Sequence, residues 1–449
     1  IIFSHIFINI TIIFIYSCMD SFYIVGGSRL EGEVVVDCAK NALLPILAGS
    51  ILIDGEILLE NVPKYSDVLA MCKILEHLGA KVRFEKGSGA NEDLYIDCRD
   101  IIYSDVPNEL ASKVRSSIFT LGPILGRKGI AKVAYPGGCD IGLRPIDIHI
   151  TALKQLGCKI VDKNGYIYAD ASKRRAEDVV LSFPSVGATE NAIMFAVLGE
   201  GETRIFNPAR EPEIVDLQNF LNCAGADIKG AGSNLIVIKG VKRLHTCSYR
   251  AISDRIEAGT FMIAGAMCAK NLVISNVNSA HNQELLCKLS KTACKIKVID
   301  DKIIMKGGGR PQSFGEVETA VYPGFPTDLQ APMVSLACIC DGYSLIIENL
   351  FESRYKHIGE LLKMGCDIKC KNGVCIVKGK EKIYGAEVIS PDLRGGASLV
   401  LAGLVAEGYT TVDNVDLIDR GYYRLEDKLS SLGTEIKRIK CEKRVDNCD

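Results

Sequence analysis

One stretch, Pro136-Gly137-Gly138-Cys139-Asp140-Ile141-Gly142-Leu143-Arg144-Pro145-Ile146-Asp147, sets a thiol, a permanent cation and two carboxylates in a single short segment. Adjacent glycines reach backbone angles closed to other residues, so Pro136-Gly137-Gly138 reads as a turn. Pro145 suits the first turn of a helix, where its missing N–H costs nothing. The stretch is therefore expected to be a loop running onto a helix start. Cys139 stands at its middle, where a side chain reaches a ligand and where the loop closes as a lid. Arg144 and the open helix N-terminus both favour an anion such as phosphate or carboxylate. A reactive thiol working on an anionic substrate fits these residues; so does a solvated surface loop with an oxidisable thiol.

What must hold such a loop is bounded by length and composition. A chain of 449 residues exceeds one ordinary core, so two or three domains are expected. Hydrophobic content of 48% with 24% charged residues is that of a globular protein. The net charge of −2 supplies no basic field for nucleic acid, so an anion must be gripped by a local cluster. The 18 cysteines contain no Cys-x-x-Cys pair. Several of them, Cys72, Cys158, Cys223, Cys294 and Cys366, stand where small apolar residues belong, and a large thiol-rich chain suits a reducing cytoplasm. Cys366, Cys370 and Cys375 lack the fourth ligand and the usual spacing of a metal site. No metal is expected. Residues 1–18 are almost wholly apolar but carry no basic n-region, and they are slightly short of a membrane span. The first methionine is Met19. The reading is that Met19 is the true start and that residues 1–18 are upstream translation, an apolar leader outside the mature protein, with a membrane anchor as the alternative; no stable membrane association is expected.

A signature recurs six times: Leu78-Gly79-Ala80-Lys81-Val82, Leu156-Gly157-Cys158-Lys159-Ile160, Ala224-Gly225-Ala226-Asp227-Ile228, Thr292-Ala293-Cys294-Lys295-Ile296, Met364-Gly365-Cys366-Asp367-Ile368 and Leu432-Gly433-Thr434-Glu435-Ile436. The copies lie 68 to 78 residues apart, longer than the usual solenoid periods. Each closes an amphipathic stretch, as Val68, Met71, Cys72 and Leu75 do at helical spacing before the first. The glycine then stops the helix, and it is lost only at Ala293. A strand follows, often opening a hairpin with a turn such as Asn164-Gly165 or Asn372-Gly373. Earlier in each unit a small-residue helix leads into a β-rich run. Six such α/β units partition most simply into two domains of three, with a ligand cleft between them.

Eight motifs then extend the reading. They are Ala39-Lys40-Asn41-Ala42, the 136–147 loop, Ser185-Val186-Gly187-Ala188-Thr189, Ala209-Arg210-Glu211-Pro212-Glu213-Ile214-Val215-Asp216, Asp254-Arg255-Ile256-Glu257, Phe325-Pro326-Thr327-Asp328-Leu329-Gln330, Asp392-Leu393-Arg394 and Asp419-Arg420-Gly421-Tyr422. In this order, from about Met19 to about Lys440, the chain resembles the enolpyruvyl transferases. The resemblance implies an α/β fold of two inside-out, barrel-like domains, each of three βαβαββ repeats. It implies that residues 40–252 form the first domain, and that residues 19–39 join residues 253–449 in the second.

The activity implied is transfer of the enolpyruvyl group of phosphoenolpyruvate to the 3′-hydroxyl of UDP-N-acetylglucosamine, with release of phosphate and no cofactor. That reaction opens peptidoglycan precursor synthesis. Cys139 resembles the family's proton donor, able also to form an adduct with phosphoenolpyruvate, and Asp328 its base. Lys40, Arg144 and Arg420 match the positions that hold the phosphate and carboxylate, with Arg115 and Arg394 adding charge. Asn41, Asp328 and Leu350 map to the sugar side. Arg115, Arg144, Pro145, Ile146, Asp147, Ser185, Val186 and Gly187 map to the UDP side. Phe183 and Cys38 depart from the pattern, where a nucleotide-contacting lysine and a glycine are common. Shikimate 3-phosphate as acceptor, or a non-catalytic repeat scaffold, are the alternatives. The thiol loop with Ala39-Lys40-Asn41-Ala42 counts against the first, and the near-zero net charge counts against a scaffold that binds RNA.

Overall fold

The structure, a computed structural model, describes residues 19–137, 141, 142 and 144–441. Their strands form six four-stranded sheets of one pattern. In the sheet of Glu316–Glu318, Tyr343–Ile347, Val374–Lys378 and Asp367–Lys371, a short edge strand lies parallel to the second. The second pairs antiparallel with the third and the third with the fourth. The chain enters this sheet as strand, buried helix, strand, second helix and hairpin, which is the βαβαββ unit.

Two of the sheets on one side and one on the other are completed out of chain order. Glu56–Val62 takes its parallel edge partner from Ser248–Tyr249. Ser21–Val25 enters the sheet of Tyr409–Asp413, and Leu30–Val35 lies parallel to Ala269–Ser275. The buried apolar residues accordingly fall into two clusters. One runs from Cys38 to Ala251; the other joins Phe22–Val36 to Ile256–Ile436.

The helices are inside and the sheets outside. Arg255–Cys268 and Gln330–Ile339 are buried at every position, and both pack with Leu393–Val405. A helix apolar all round has no solvent face to offer and is stable only as a core element. The strands instead alternate, as Val374–Lys378 does with Cys375 and Val377 inward. Polar residues in the helical core find local acceptors: Ser335 Oγ donates to the Ser398 carbonyl at 2.7 Å, Thr260 Oγ1 to that of Ile256 at 2.8 Å.

The repeat signature marks the end of the second helix in each unit. Gly79, Gly157, Gly225, Gly365 and Gly433 have φ between 82° and 111°, and Ala293 takes the same left-handed turn at φ 66°. An alanine there crowds its Cβ against its own backbone, which glycine avoids. Ala293→Gly is expected to stabilise the fold by about 0.5–1 kcal/mol, offset in part by the freer unfolded chain; the midpoint of urea unfolding reads it. Asn164-Gly165 and Asn372-Gly373 both have positive φ at their two positions, as a two-residue hairpin turn requires. Of the cysteines placed at apolar repeat positions, Cys72, Cys158, Cys294 and Cys366 are buried, but Cys223 is exposed. It ends the helix Pro212–Cys223, where the chain leaves the core.

The connections between the two halves run side by side. Cys38 pairs with Ser253, Ala39 N–H donates to the Ile252 carbonyl at 2.7 Å, and Asp254 N–H to that of Asp37 at 2.8 Å. Asp254 then caps two helices at once. Its Oδ1 accepts from the Ile256 and Glu257 amides at 2.7 and 3.0 Å, and its Oδ2 from the Lys40 amide at 3.2 Å. The first turn of Lys40–Ser50 is thereby tied to the first turn of Arg255–Cys268 from the other half. Lys40, the first residue of its helix, is set by that tie.

Candidate active site

A cleft of about 510 Å³ opens where the two halves meet. On the first half it is lined by Lys40, Asn41, Arg115, Arg144, Pro145, Asp147, Ser185, Val186 and Gly187. On the second it is lined by Asp328, Leu350, Arg394 and Arg420. Residues more than 300 positions apart in the chain thus share one cavity. Two expected residues stand apart. Cys139 lies outside the described residues. Ile146 does not line the cleft: its side chain, 6% exposed, packs into the core of the first half just before the helix Asp147–Gln155. An apolar side chain at that junction gains more from burial than from facing a charged cavity.

The stems of the thiol loop are anchored on both halves. Gly137 N–H donates to the Ala111 carbonyl at 3.0 Å, and a Cβ on Gly137 would lie 2.0 Å from the Ser112 carbonyl oxygen. On the far side the Ile141 carbonyl accepts from the Ser353 amide of the other half at 3.2 Å. Arg144 then sits over the Phe351 ring, 5.5 Å from its centroid, and Arg354 faces the same ring at 5.7 Å.

The cations are held in two groups. In the first, Asp67 joins the halves: Lys40 Nζ approaches it at 3.2 Å and Arg420 Nε at 2.8 Å. Burial works against ionised Asp67, but Lys40 and Arg420 outweigh it and keep the carboxyl below its ordinary value. In the second, Asp328 takes Arg354 at 2.5 Å and Arg394 at 3.4 Å. Burial again opposes the charge, and Arg394, Arg354 and Lys40 overcome it, so the carboxyl lies far below the usual range. Arg394 is seated by its own helix: Asp392 Oδ1 accepts from the Arg394 and Gly395 amides at 2.9 and 3.0 Å.

These guanidinium groups are not saturated. Arg394 Nη1 and Arg354 Nε are buried with no hydrogen-bond partner, and so is Asp392 Oδ2. Arg394 is 2% exposed and Arg354 4%. A buried cationic donor left without an acceptor costs more than a neutral one, and an anionic ligand in the cleft removes that cost.

The opposite wall is cationic as well, carrying Arg115 and Arg144. Arg115 donates to the Arg144 carbonyl, and burial together with the Arg144 cation pushes its own pKa down to about 10. His149 lies behind them, with Nδ1 2.8 Å from Asn191 Nδ2. Burial and then Arg115 and Arg144 push this imidazole to about 3, so it is neutral at pH 7. Ser185 caps the helix Val186–Ala196 through Oγ and the Ala188 amide at 3.4 Å. The start of that helix faces the cleft, as phosphate sites require. Gly187 permits the approach: a Cβ there would lie 2.8 Å from both His149 Cε1 and Phe119 Cε1.

Asp67, Arg354, Phe351, His149 and Glu190 also line the cleft and were not singled out from the sequence. Asp67 had a faint signal, an acid in the first turn of Ser66–Leu78. Arg354 and Phe351 lie in an irregular segment with no periodicity. Glu190 is buried in a helix, and burial followed by Glu213 and Glu211 raises its carboxyl well above the ordinary value. Glu213 itself pairs with Arg255 of the other half at 3.0 Å. Among the described residues, no group of three or more His, Cys, Asp or Glu is arranged to hold a metal ion.

A two-half α/β fold of six repeated units with an interdomain cationic cleft defines an enolpyruvyl-transferase-like protein. The sequence model of the EPSP synthase (3-phosphoshikimate 1-carboxyvinyltransferase) family matches residues 24–429, and the chain belongs to that family. Its curated relatives are more specific. It is 47% identical over 421 residues to UDP-N-acetylglucosamine 1-carboxyvinyltransferase 2 of Caldanaerobacter subterraneus subsp. tengcongensis, covering 94% of this chain and 100% of the relative. It is 44% identical to UDP-N-acetylglucosamine 1-carboxyvinyltransferase of Koribacter versatilis, covering 94% and 97%. Among solved structures the fold matches the enolpyruvyl transferase NikO from Streptomyces tendae with a TM-score of 0.82 at 23% identity, covering 94% of this chain and 99% of that one. EPSP synthase from Acinetobacter baumannii matches with a TM-score of 0.70 at 17% identity, covering 94% and 100%.

Proposed function

We propose that the chain transfers the enolpyruvyl group of phosphoenolpyruvate to the 3′-hydroxyl of UDP-N-acetylglucosamine, releasing phosphate, as the names of its relatives indicate for them. The observation that carries this reading is the pair of buried, unsaturated guanidinium groups, Arg394 and Arg354, opposite a second cationic wall at Arg115 and Arg144. One substrate brings a carboxylate and a phosphate, the other a diphosphate. Two separate anion sites facing one cavity match that demand. Lys40 and Arg420 are placed to take the phosphate that leaves, and Arg394 the carboxylate, in competition with the carboxylates that now hold them. Arg115, Arg144, Pro145 and Asp147 with the start of the Val186–Ala196 helix serve the nucleotide. Asn41 and Leu350 border the sugar.

The chemistry is addition and elimination. The acceptor hydroxyl adds to C2 of phosphoenolpyruvate while a proton reaches C3; phosphate then leaves as C3 gives a proton back. Cys139 is the donor in this reading and Asp328 the base. Asp328 is a weak base while Arg394 and Arg354 hold it. Substrate anions that engage those two cations loosen their grip and raise its basicity. The reaction belongs in the cytoplasm, whose reducing poise suits a chain carrying 18 cysteines. Among the described residues no helix is long and apolar enough to cross a membrane.

Phosphate release measured with phosphoenolpyruvate and either acceptor tests the proposal. Release with UDP-N-acetylglucosamine but not with shikimate 3-phosphate is expected, and the reverse overturns it. The thiol has its own test. Fosfomycin, an epoxide bearing a phosphonate, should alkylate Cys139, faster with UDP-N-acetylglucosamine bound. Cys139→Asp should escape alkylation and stay active, because a carboxyl group beside bound substrate anions holds a proton to donate; Cys139→Ser should be nearly inactive. Peptide mapping that places the adduct on another cysteine removes Cys139 from the mechanism.

A further inference from the structure

Cys370 and Cys375 face each other across the hairpin of Asp367–Lys371 and Val374–Lys378, two positions from the Asn372-Gly373 turn. In a two-residue hairpin the residues beside the turn, here Lys371 and Val374, exchange backbone hydrogen bonds. The next pair out is the non-hydrogen-bonded one, where Cα atoms are about 4.5 Å apart and side chains converge. That separation lies within the range that a disulfide spans. Cys370 is exposed and Cys375 fully buried. A peroxide in solvent therefore reaches the Cys370 sulfur first, and Cys375 is placed to resolve it.

The hairpin is wired to the cleft. The Gly373 carbonyl accepts from the Glu348 amide at 2.8 Å and from the Tyr355 hydroxyl at 3.3 Å. Glu348 is 7% exposed and organises the segment beyond it. Its Oε1 accepts from the amides of Leu350 and Phe351 at 2.8 and 3.1 Å, and its Oε2 from Thr327 Oγ1 at 2.7 Å. Thr327 precedes Asp328, and Tyr355 follows Arg354. The turn between the two cysteines is therefore one hydrogen-bonded step from the residues that present Leu350, Phe351, Arg354 and Asp328 to the cleft.

We propose that Cys370 and Cys375 are a redox modification site, a dithiol that a peroxide converts to a cross-strand disulfide and so stiffens the cleft segment 348–357. The Cys370 sulfur attacks the peroxide O–O bond, giving a sulfenic acid and one water. The Cys375 sulfur then displaces the hydroxyl from Cys370, forming S–S and a second water. The two thiols lose two electrons, the peroxide gains them, and the two thiol protons leave in the waters. An exposed bridge of this kind is readily returned to the dithiol by a thiol reductant.

The test uses the full chain, oxidised with hydrogen peroxide, with free thiols then blocked and peptides mapped. The expected product links the peptide ending at Lys371 to the one beginning at Asn372, and dithiothreitol reverses it. Hydrogen exchange supplies the second readout and needs no turnover. Amides in 348–357 should exchange about threefold or more slowly in the oxidised protein, with no such change in peroxide-treated Cys370→Ser. A bridge between the buried Cys338 and Cys366, or none while the exposed Cys287 oxidises, overturns the proposal. So does a Cys370–Cys375 bridge that leaves exchange in 348–357 unchanged.

Discussion

Arg394→Gln is expected to lower kcat/KM for phosphoenolpyruvate by about two to three orders of magnitude, with the KM for UDP-N-acetylglucosamine nearly unchanged. Arg394 is 2% exposed and seated by the Asp392 cap, so its guanidinium cannot be replaced by a neighbour's. Removing one partner of a buried charge pair costs about 2–5 kcal/mol, which is the range of the expected rate loss. Glutamine keeps a donor and much of the side chain's volume, so the helix Leu393–Val405 should stay folded; a melting curve checks that. The same substitution alters the pH profile. Burial favours the protonated form of Asp328, and Arg394 is the foremost of the cations that hold it ionised. Without that cation its carboxyl pKa rises. The acid limb of kcat/KM should therefore move to higher pH. A variant within about threefold of the parent in kcat/KM for phosphoenolpyruvate would remove Arg394 from the anion site.

Asp328→Asn is expected to cut kcat by about 10²-fold or more while nucleotide-sugar binding persists. The amide has the same shape but accepts no proton from the acceptor hydroxyl. The change also releases Arg354 and Arg394 from their shared carboxylate, so phosphoenolpyruvate should bind at least as tightly as before. A fall in kcat with an unchanged or lower KM for phosphoenolpyruvate is thus the distinguishing result. Calorimetric titration with UDP-N-acetylglucosamine separates a lost base from a lost site. Near-normal turnover would assign proton acceptance elsewhere in the cleft.

Both expectations depend on partners that the chain order hides. Arg394 entered the sequence reading through the resemblance carried by Asp392-Leu393-Arg394, and the structure puts it in the cleft lining. Asp328 entered in the same way, through Phe325-Pro326-Thr327-Asp328-Leu329-Gln330; by itself it read as a helix cap. Arg354 was not legible. It lies in an irregular segment whose register is set by Glu348 and the Gly373 carbonyl, contacts that no periodicity encodes. Asp67 showed only as a first-turn acid, a feature with an ordinary helical explanation. Its use as a bridge between Lys40 and Arg420 exists only once two helices from different halves meet. Ile146 shows the converse. The resemblance mapped it to the nucleotide side, but its apolar side chain packs into the core of the first half.

The sequence by itself determined the repeating unit and its helix stops. Those rest on local physics: an apolar period of 3.6 or 2, a glycine or asparagine able to take positive φ, and a chain too long for one core. The left-handed turn at Ala293, where the glycine is missing, follows from the same local demand met by a less suitable residue. Only the tertiary structure decided which cations lie in one cavity, which carboxylates restrain them, and which donors remain unsatisfied. Those are properties of electrostatics at a few ångströms between residues hundreds of positions apart. They also decide the charge state of each group, because burial and neighbours, not residue type, hold Asp328 ionised and His149 neutral.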